Sequence, residues 1–382
     1  MIKFEKLSYN GDDYMADKTK IKKVFIAGGT GFLGYYAALE FLKQGVEVST
    51  ISLPDVDLGG WFPKEIEVKH GNIFEMEKPA FLEMLKGFDA LVYSIGPDDR
   101  VHAPKGEPAY EFFHKRLVDK VIPLFEAARE AGVKRAVLLN SYFAYFDREF
   151  PEKELAKNHP YIKVRVEQAD ALIKAGGGQA NGGMDVISLE LPYIFGSIPE
   201  RTPLWKEVFL DRFASMPAVY FPKGGTAMIH VTGVAEAVVA AAFYGQHGDR
   251  LPIGQENHKY EYMINEMMKA AGAKKRYVGV PCWMATMGGY FVAWGLERKG
   301  QSSGLNYRRL MKDIQSKDFY IPEETIEKVK EHLHYRDLGF KGGNTVLSGI
   351  QETMRKCYPH RFDTDGHLKP EWNGKNLKKV EP

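Results

Sequence analysis

The sequence of 382 residues predicts an α/β fold in which a doubly wound parallel sheet is joined to a smaller, interleaved C-terminal lobe. Three observations support this prediction. Apolar, strand-like runs alternate with helical patterns from Lys23 onward, and a glycine-rich turn joins the first run to the first helix. After Leu191 the composition changes, and Pro, Gly, Met and aromatic residues become frequent. The length allows two lobes, and a hydrophobic content of 44% allows a large core.

The individual elements follow from the periodicity of the apolar residues. Six runs are predicted as strands, at residues 23–27, 47–53, 65–69, 90–94, 135–140 and 185–190. Helical patterns follow at 31–44, at 110–131 with a kink at Pro123, and at 229–244, where an Ala-rich helix returns to the sheet. Such alternation produces right-handed βαβ units. We therefore assign residues 1–190 and 226–250 to the sheet domain, 191–225 and 251–360 to the second lobe, and 361–382 to a loosely held polar tail.

One uncharged stretch, residues 277–296, has the length of a membrane span. Pro281 and several glycines interrupt it, and its mean hydropathy is modest, so it is interpreted as a short strand followed by a buried or pocket-lining helix. Large apolar side chains recur on one face of that helix, and these are Trp283, Met287, Tyr290, Phe291 and Trp294. Such a face belongs either to the core or to a substrate pocket, and as a pocket it would favour an apolar alcohol or ketone over a diphosphate.

The composition excludes several classes of protein. Lys and Arg number 52 against 50 Asp and Glu, so no basic footprint for nucleic acid is present. The two cysteines, Cys282 and Cys357, lie far apart and outside any metal-binding spacing, which predicts no disulfide and no metal site. The charged N-terminus lacks an apolar signal core. We expect a cytoplasmic protein without a membrane span that acts on a small molecule.

The strongest local motif is the segment VFIAGGTGFLG at residues 24–34. Gly28 permits a tight turn, Gly31 lets the backbone approach a pyrophosphate, and Gly34 allows close packing of helix on strand. The N-terminus of the following helix offers free N–H groups to the anion. A strand, this spacing and a helix in this order predict a Rossmann dinucleotide site, with the pyrophosphate over residues 28–33. The remaining cradle residues are Thr30, Phe32 and Leu33.

The tip of the second strand distinguishes NAD from NADP in such sites. An acid at that tip binds the ribose 2′-OH of NAD, whereas an Arg accommodates the 2′-phosphate of NADP. Here Ser52 occupies the position, followed by Leu53, Pro54 and Asp55. No basic residue lies in this loop, so the sequence favours NAD over NADP as the cofactor.

The segment GGTGFLG resembles the extended or atypical short-chain dehydrogenase/reductase superfamily, the group labelled NAD-dependent epimerase/dehydratase. Further landmarks of that group occur in order at residues 69–73, 87–92, 135–141, 190–196 and 337–340, so the resemblance spans residues 23–358. It implies that Asn72 lies where an Asp usually meets the adenine. The strand ends and landmarks place the remaining cofactor contacts at Ile73, Ser94, Gly96, Pro192 and Ile194. Arg100, just beyond Gly96, either contacts an anion or belongs to a solvated loop.

The resemblance also implies a catalytic set, because the family uses a Ser together with Tyr-x-x-x-Lys on a helix. Ser141 lies at the expected strand end, and Tyr161 is the matching Tyr. Arg165 stands where Lys is expected, while Lys163 is two residues from Tyr161 and points elsewhere. A cation at this position lowers the pKa of the phenol so that it can exchange a proton with the substrate. Either Ser141, Tyr161 and Arg165 form a working set, or Tyr161 caps a packed helix and catalysis is altered or lost.

Departures from the family pattern separate three hypotheses. Tyr142 and Phe143 replace the Asp-Glu pair of the sugar-nucleotide dehydratases, and the exit of the sixth strand lacks the Arg-x-x-Asn of many epimerases. The first hypothesis is an NAD(P)-dependent oxidoreductase acting on a secondary alcohol or ketone with a largely apolar structure. The others are a sugar-nucleotide epimerase that retains its NAD, and a catalytically silent dinucleotide-sensing protein. By analogy with relatives, the helices at 110–131 and 161–175 predict a homodimer.

Overall fold

The structure is a computed structural model that describes residues 21–378. The strands are β1 Lys23–Ala27, β2 Glu47–Ser52, β3 Glu67–His70, β4 Ala90–Tyr93, β5 His102–Ala103, β6 Arg135–Ser141, β7 Asp185–Leu191, β8 Tyr193–Phe195, β9 Val219–Pro222, β10 Gly225–His230, β11 Arg250–Pro252, β12 Glu256–Lys259, β13 Tyr277–Val280, β14 Ser302–Ser303 and β15 Asp318–Phe319. The α-helices are α1 Phe32–Lys43, α2 Lys78–Leu85, α3 Ala109–His114, α4 Ile122–Glu130, α5 Tyr142–Glu149, α6 Leu155–Asn158, α7 Pro160–Gly176, α8 Asp211–Phe213, α9 Val231–Tyr244, α10 Tyr260–Ala270, α11 Cys282–Arg298, α12 Tyr307–Leu310, α13 Glu323–His332 and α14 Val346–Cys357. Single π-helical turns occur at Lys115–Asp119, Lys206–Leu210 and Met311–Gln315.

The main sheet has seven parallel strands in the order β11-β7-β6-β4-β1-β2-β3. Its central strands are largely apolar, as is usual for strands covered on both faces, and all four residues of β4 are buried. Helices α1 and α9 cover one face, and α2, α4 and α7 cover the other. The predicted doubly wound α/β fold is therefore confirmed. Its topological switch point lies between β1 and β4, where open α/β sheets bind their ligands.

The second lobe is built around β10, which pairs with β12, β15 and β8. Helices α10 and α14 pack against this sheet through a separate apolar cluster. Strand β10 leads directly into α9, and His230 at the junction caps that helix by accepting a hydrogen bond from the Thr232 N–H. The two lobes are therefore interleaved, because the continuous segment from β10 to α9 runs from the second lobe into the main sheet domain. The exact division of the chain into domains stays a prediction.

Helix 110–131, predicted as one kinked helix, is in fact interrupted. The π-helical turn Lys115–Asp119 follows α3, and Lys120 and Val121 form a turn, still with right-handed backbone angles, before α4 begins. Pro123 lies in the first turn of α4, where its missing N–H has no partner to lose. The proline therefore starts a new helix instead of bending an existing one.

The final described residues are not loosely held, contrary to the expectation from their polarity. The Arg361 side chain is fully buried and donates hydrogen bonds to the backbone carbonyls of Ala271, Lys375 and Asn376. Leu377 is buried as well. A buried guanidinium that satisfies several carbonyls at once fixes this segment onto the second lobe.

Helix α11 departs most clearly from expectation. Strand β13 precedes it as predicted, but the helix is not buried, since Gly289 is its one buried residue. The aromatic and Met side chains predicted to pack inward are largely exposed, for example 70% for Phe291 and 66% for Trp283. No helix of the described chain combines the length and apolarity that crossing a membrane requires.

Candidate functional site

The residues predicted for cofactor binding and for catalysis meet at one edge of the main sheet. Ser52 and Ser141 end β2 and β6, while Gly28, Ser94 and Pro192 directly follow β1, β4 and β7. These five strands are neighbours in the order β7-β6-β4-β1-β2 and run in the same direction. Their carboxyl ends therefore form a continuous row that is long enough to carry a dinucleotide at one end and a reacting group at the other.

The glycine turn has steric constraints that only glycine satisfies. Gly28 has a positive φ of 93°, and a Cβ there would lie 2.7 Å from Ile95 Cγ1. A Cβ at Gly34 would lie 2.2 Å from the Gly28 carbonyl oxygen, so close packing of α1 on the turn requires its absence. At Gly31 the nearest atom would be 3.2 Å away, which leaves this position open toward the outside of the turn.

This geometry fits a dinucleotide phosphate. Gly31 is the N-cap residue of α1, and no side chain caps that helix among residues 21–378. The backbone N–H groups of the first turn are therefore left for a ligand, and they carry the positive end of the helix dipole. Phe32 and Leu33 would contact the pyrophosphate through these groups. The Gly31 N–H donates to the Gly28 carbonyl at 3.0 Å, so Gly31 would contribute by letting the backbone come close to the phosphate.

Gly29 and Thr50 are an additional pair that sequence reasoning missed. Thr50 Oγ1 accepts a hydrogen bond from the Gly29 N–H at 2.9 Å and donates to the Ile26 carbonyl at 2.7 Å. A Cβ at Gly29 would lie 2.5 Å from this hydroxyl. The pair fixes the turn to β2, and the doubled glycine of GGTG was the signal that could have revealed it.

The tip of β2 closes onto the same turn. Thr30 Oγ1 donates to Ser52 Oγ at 3.3 Å, and both residues are buried. Asn72, beyond β3, uses its side chain locally, donating to Glu75 Oε1 at 2.8 Å and accepting from the Phe74 N–H at 3.1 Å. Ile73 beside it is buried in the core. The structure thus brings Ser52 to the cradle, whereas the Asn72 amide is engaged within its own turn.

The remaining predicted cofactor residues line the centre of the row. Ser94 Oγ donates to the Ala27 carbonyl at 2.9 Å, which joins β4 to the glycine turn. Gly96 has a φ of 140°, and a Cβ there would lie 2.4 Å from Leu117 Cδ2. Pro192 is buried between β7 and β8, and the Ile194 carbonyl accepts a hydrogen bond from Trp205 Nε1 at 3.0 Å. These residues therefore shape the floor of the cleft through backbone conformation.

Ser141 and Tyr161 approach the same edge from different elements. Ser141 is the N-cap residue of α5, and its Oγ accepts a long hydrogen bond of 3.4 Å from the Phe143 N–H. Tyr161 lies in the first turn of α7, with its ring edge-on to Phe113 at 5.2 Å between centroids. Its hydroxyl forms no hydrogen bond within the described part of the chain. Burial raises the pKa of the Tyr161 phenol above its ordinary value, and the charge of Arg165 opposes that rise.

Arg165 has structural partners of its own. It lies one turn after Tyr161, with the guanidinium carbon 5.9 Å from the centre of the Tyr161 ring. Its Nε donates to Asn140 Oδ1 at 2.7 Å, and Nη2 donates to the Leu139 carbonyl at 2.6 Å. Asn140 Oδ1 also accepts from the Ser141 N–H at 2.6 Å. Arg165 thus ties α7 to the end of β6 and fixes the relative positions of the Tyr and the Ser.

The loop after β4 contributes an acid that the sequence did not identify. Arg100 is bound to Asp98, with Nε 3.1 Å from Oδ1, so it is engaged within the loop. Burial, reinforced by the Asp98 charge, raises the pKa of the half-buried Asp99 to about 6. The Asp99 charge in turn raises the pKa of Tyr142, Tyr161 and Tyr193. Asp99 is therefore close enough to these phenols for its charge to act on them, and its place after a strand end was the available signal.

A second concave region lies apart from this row. An open groove of about 600 Å³ is lined by residues of α3 and its π-helical extension, including Tyr110, His114 and Asp119. None of the residues predicted for cofactor binding or catalysis lines it. We assign the functional site to the sheet edge, because the strand ends, the glycine turn and the Tyr161 helix converge there and not at the groove.

Comparison with known proteins supports this assignment. Residues 24–254 match the model of a family described as "NAD dependent epimerase/dehydratase family". No curated protein sequence matches the chain. Among solved structures, a protein named gox2253 superimposes with a TM-score of 0.68 at 18% identity, covering 89% of this chain and 98% of that one. The UDP-glucose-4-epimerase of Stenotrophomonas maltophila, solved with bound NAD and formylated UDP-arabinopyranose, has a TM-score of 0.61 at 17% identity, with 89% and 98% covered.

A third similar structure is the UDP-glucose 4-epimerase of Thermus thermophilus in complex with NAD, with a TM-score of 0.57, 15% identity, and 88% and 98% of the two chains covered. At these identities the structures establish a common fold. The family match, in contrast, spans more than half of the chain and includes the whole glycine turn and the end of β6. The chain belongs to the NAD-dependent epimerase/dehydratase family and is an NAD-dependent enzyme of the short-chain dehydrogenase type.

Proposed function

We propose that the protein transfers a hydride between NAD and a secondary alcohol or ketone of largely apolar structure, with Tyr161 as the acid and base. The observation that supports this most directly is that Arg165, one turn after Tyr161, binds the end of β6 beside Ser141, in the same row of strand ends as the glycine turn. A dinucleotide whose pyrophosphate lies over Gly28 and Gly31 would extend its nicotinamide along that row toward β6.

The chain's own residues would have the following roles in this reaction. NAD, when bound, supplies the hydride-accepting nicotinamide ring. Ser141 Oγ, held at the N-terminus of α5, would donate a hydrogen bond to the substrate oxygen. Tyr161 would take the hydroxyl proton of an alcohol, or give a proton to the oxygen of a ketone in the reverse direction. Arg165 favours the ionised phenol and so counteracts the effect of burial.

The surroundings of the cleft support an apolar substrate. Tyr142 and Tyr193 lie 6.4 Å apart between ring centroids, and Tyr142 uses its hydroxyl to bind Thr226 Oγ1 at 2.8 Å. The two arginines nearest the site are already engaged, Arg100 by Asp98 and Arg165 by Asn140. With both of these guanidinium groups engaged, the aromatic surroundings are poorly suited to a diphosphate.

A sugar-nucleotide epimerase that retains its NAD is the second candidate. Structures similar to this chain carry that name, including two UDP-glucose 4-epimerases. An epimerase of this type would keep its cofactor through purification, whereas an oxidoreductase would release it at each turnover. A dinucleotide-sensing protein, the third candidate, would bind NADH but show no turnover on any panel of carbonyl compounds or alcohols.

The test of the proposal is Tyr161→Phe, which removes the hydroxyl and keeps the ring. We expect NADH affinity in calorimetry to be unchanged and turnover to fall by roughly 10²–10⁴-fold, the contribution of a positioned acid or base. Tyr110→Phe is the matched control, because Tyr110 lies on α3 and binds Glu167 outside the cleft. Full turnover by the Tyr161 variant would show that another group is the acid.

The assembly and compartment are also proposals. We infer a cytoplasmic homodimer formed through the outer faces of α3, α4 and α7, which pack on one another along one side of the sheet. Light scattering at micromolar concentration should give twice the 43.2 kDa mass of the chain. A single monomeric mass would contradict it.

A further inference from the structure

Helix α11 packs on the protein with the opposite face from the one that its sequence would favour. Its buried Gly289 lies against the Tyr307 backbone, where a Cβ would come within 2.2 Å of the carbonyl oxygen. Ala285 and Ala293 are on the same side and are partly covered. A surface helix normally buries its largest apolar residues. Here α11 contacts the rest of the protein through small residues instead, and its large apolar side chains are exposed.

The outward face consists of Trp283, Met284, Met287, Tyr290, Phe291 and Trp294, which are between 47% and 70% exposed and which we call the α11 face. At 3.6 residues per turn these six positions cover about 120° of the helix circumference. No acidic or basic residue interrupts the sequence between Pro281 and Leu296. A contiguous exposed apolar patch of this kind marks a site of interaction with another protein or with a membrane.

The residues around the α11 face are basic, and their charge indicates which kind of partner covers it. Arg298 lies 4.3 Å from the centre of the Trp294 ring, and Lys299 follows it. The charges of Arg212 and Lys299 both act on His102, where they add to the effect of burial in lowering its pKa. Lys105 packs on Gly300 at the same end of the helix. We call these four cations, Arg298, Lys299, Arg212 and Lys105, the basic rim.

The basic rim is not neutralised by acids of the chain. Lys105, Arg212, Arg298 and Lys299 form no ion pair among residues 21–378. Glu297, next to Arg298, is bound to Arg308 at 2.7 Å. Asp211, next to Arg212, is bound to Lys206 at 3.0 Å. The positive charge of the rim is therefore available to an external anion.

We propose that the α11 face and the basic rim form a peripheral membrane-docking surface that binds anionic lipid bilayers. Tryptophan and tyrosine rings favour the boundary between lipid headgroups and acyl chains, and Phe and Met side chains insert below it. Lysines and arginines at the edge of such a helix gain from the negative potential of anionic lipids. A second copy of the chain is a less favourable partner for this surface. A two-fold pairing of identical faces would bring the two basic rims together without acids between them, and the like charges would repel.

The docking surface is physically continuous with the catalytic helix. The chain leaves α11 through residues 300–306, and the Gly304 carbonyl accepts a hydrogen bond of 2.9 Å from the Tyr161 N–H. The Asn306 N–H donates to His159 Nδ1 at 3.1 Å, just before α7 begins. Docking of α11 on a bilayer would therefore place this segment, and the cleft behind it, close to the lipid surface. The docking proposal itself does not depend on the reaction that the cleft performs.

Vesicle flotation of the full chain tests the proposal. We expect the protein to float with vesicles of phosphatidylcholine mixed with phosphatidylserine, to stay behind with pure phosphatidylcholine, and to dissociate at high salt. Phe291→Ser combined with Trp294→Ser should weaken binding by on the order of tenfold or more, because both rings are lost from the apolar contact. Phe291→Leu with Trp294→Leu is the matched control, which keeps apolar side chains and should retain most of the binding.

A second pair of variants tests the basic rim. Lys105→Glu with Lys299→Glu should abolish the preference for phosphatidylserine, while Lys64→Glu with Lys86→Glu, the same charge change at exposed sites outside the rim, should not. NADH affinity in all variants serves as the check on folding. The proposal is overturned if the wild type fails to bind anionic vesicles, or if binding survives both Ser substitutions. It is also overturned if the wild type is a dimer that these substitutions dissociate, since a second copy then covers the face.

Discussion

Replacing Arg165 by lysine, the residue usual in this position of the family, should destabilise this protein. The guanidinium makes two hydrogen bonds in a buried environment, to Asn140 Oδ1 at 2.7 Å and to the Leu139 carbonyl at 2.6 Å. Each charge-assisted bond contributes about 1.5–3 kcal/mol, and a lysine ammonium can keep at most one of them. We therefore expect Arg165→Lys to lower the free energy of unfolding by about 2 kcal/mol.

Urea unfolding followed by fluorescence measures this difference directly. Arg165→Met removes the charge and should cost more than lysine does, because both hydrogen bonds of the guanidinium are lost. Lys163→Ala is the matched control on the same helix, since Lys163 is half-exposed and lies 3.8 Å from Glu167, and it should change stability by less than about 0.5 kcal/mol. Equal stability of the wild type and Arg165→Lys would refute the assignment of Arg165 as the link between α7 and β6.

Two further substitutions follow from the glycine turn and from the acid in the cleft. Gly31→Val should leave the chain folded and abolish NADH binding in calorimetry, because the valine side chain would occupy the side on which the phosphate approaches. Gly34→Ala should instead lower the free energy of unfolding by about 3 kcal/mol, because its Cβ would overlap with the Gly28 carbonyl. Unchanged NADH affinity in a folded Gly31→Val protein would contradict the cradle. Asp99, with its pKa raised to about 6, binds a proton in the folded state that the unfolded chain releases, so the wild type loses stability as pH rises from about 4 to 6. Asp99→Asn should remove that loss of stability. In urea titrations the variant should be more stable than the wild type by about 1–2 kcal/mol near pH 8 but not near pH 4. A difference in stability that does not depend on pH would show that Asp99 titrates normally.

The sheet domain was predictable because its signals are local. Strand β1, the glycine turn and α1 are adjacent in sequence, and each constrains the next through periodicity and backbone conformation. The position of Ser52 followed from the rule that ligands bind at the carboxyl ends of parallel strands. The position of Ser141 was implied by the resemblance to the family. These predictions needed no knowledge of which distant residues touch.

The errors concern contacts between distant parts of the chain. The periodicity of α11 showed that its large residues share one face, but periodicity is the same whether that face points toward the core or away from it. The described part of the polar tail, up to residue 378, is held by Arg361, whose carbonyl partners at Ala271 and Asn376 are specified by tertiary packing alone. The hydrogen bond between Arg165 and Asn140, which lies 25 residues away on another element, likewise gave no signal in the sequence.

A crystal structure of the protein with NADH would show whether the row of strand ends holds the cofactor with its reacting ring at Tyr161. We expect the pyrophosphate against the backbone of Gly31 and Leu33, the adenosine ribose beside Ser52, and the nicotinamide ring between Ser141 and the Tyr161 hydroxyl. A nicotinamide bound away from Tyr161, or a dinucleotide bound outside the carboxyl ends of β1 and β4, would contradict this placement.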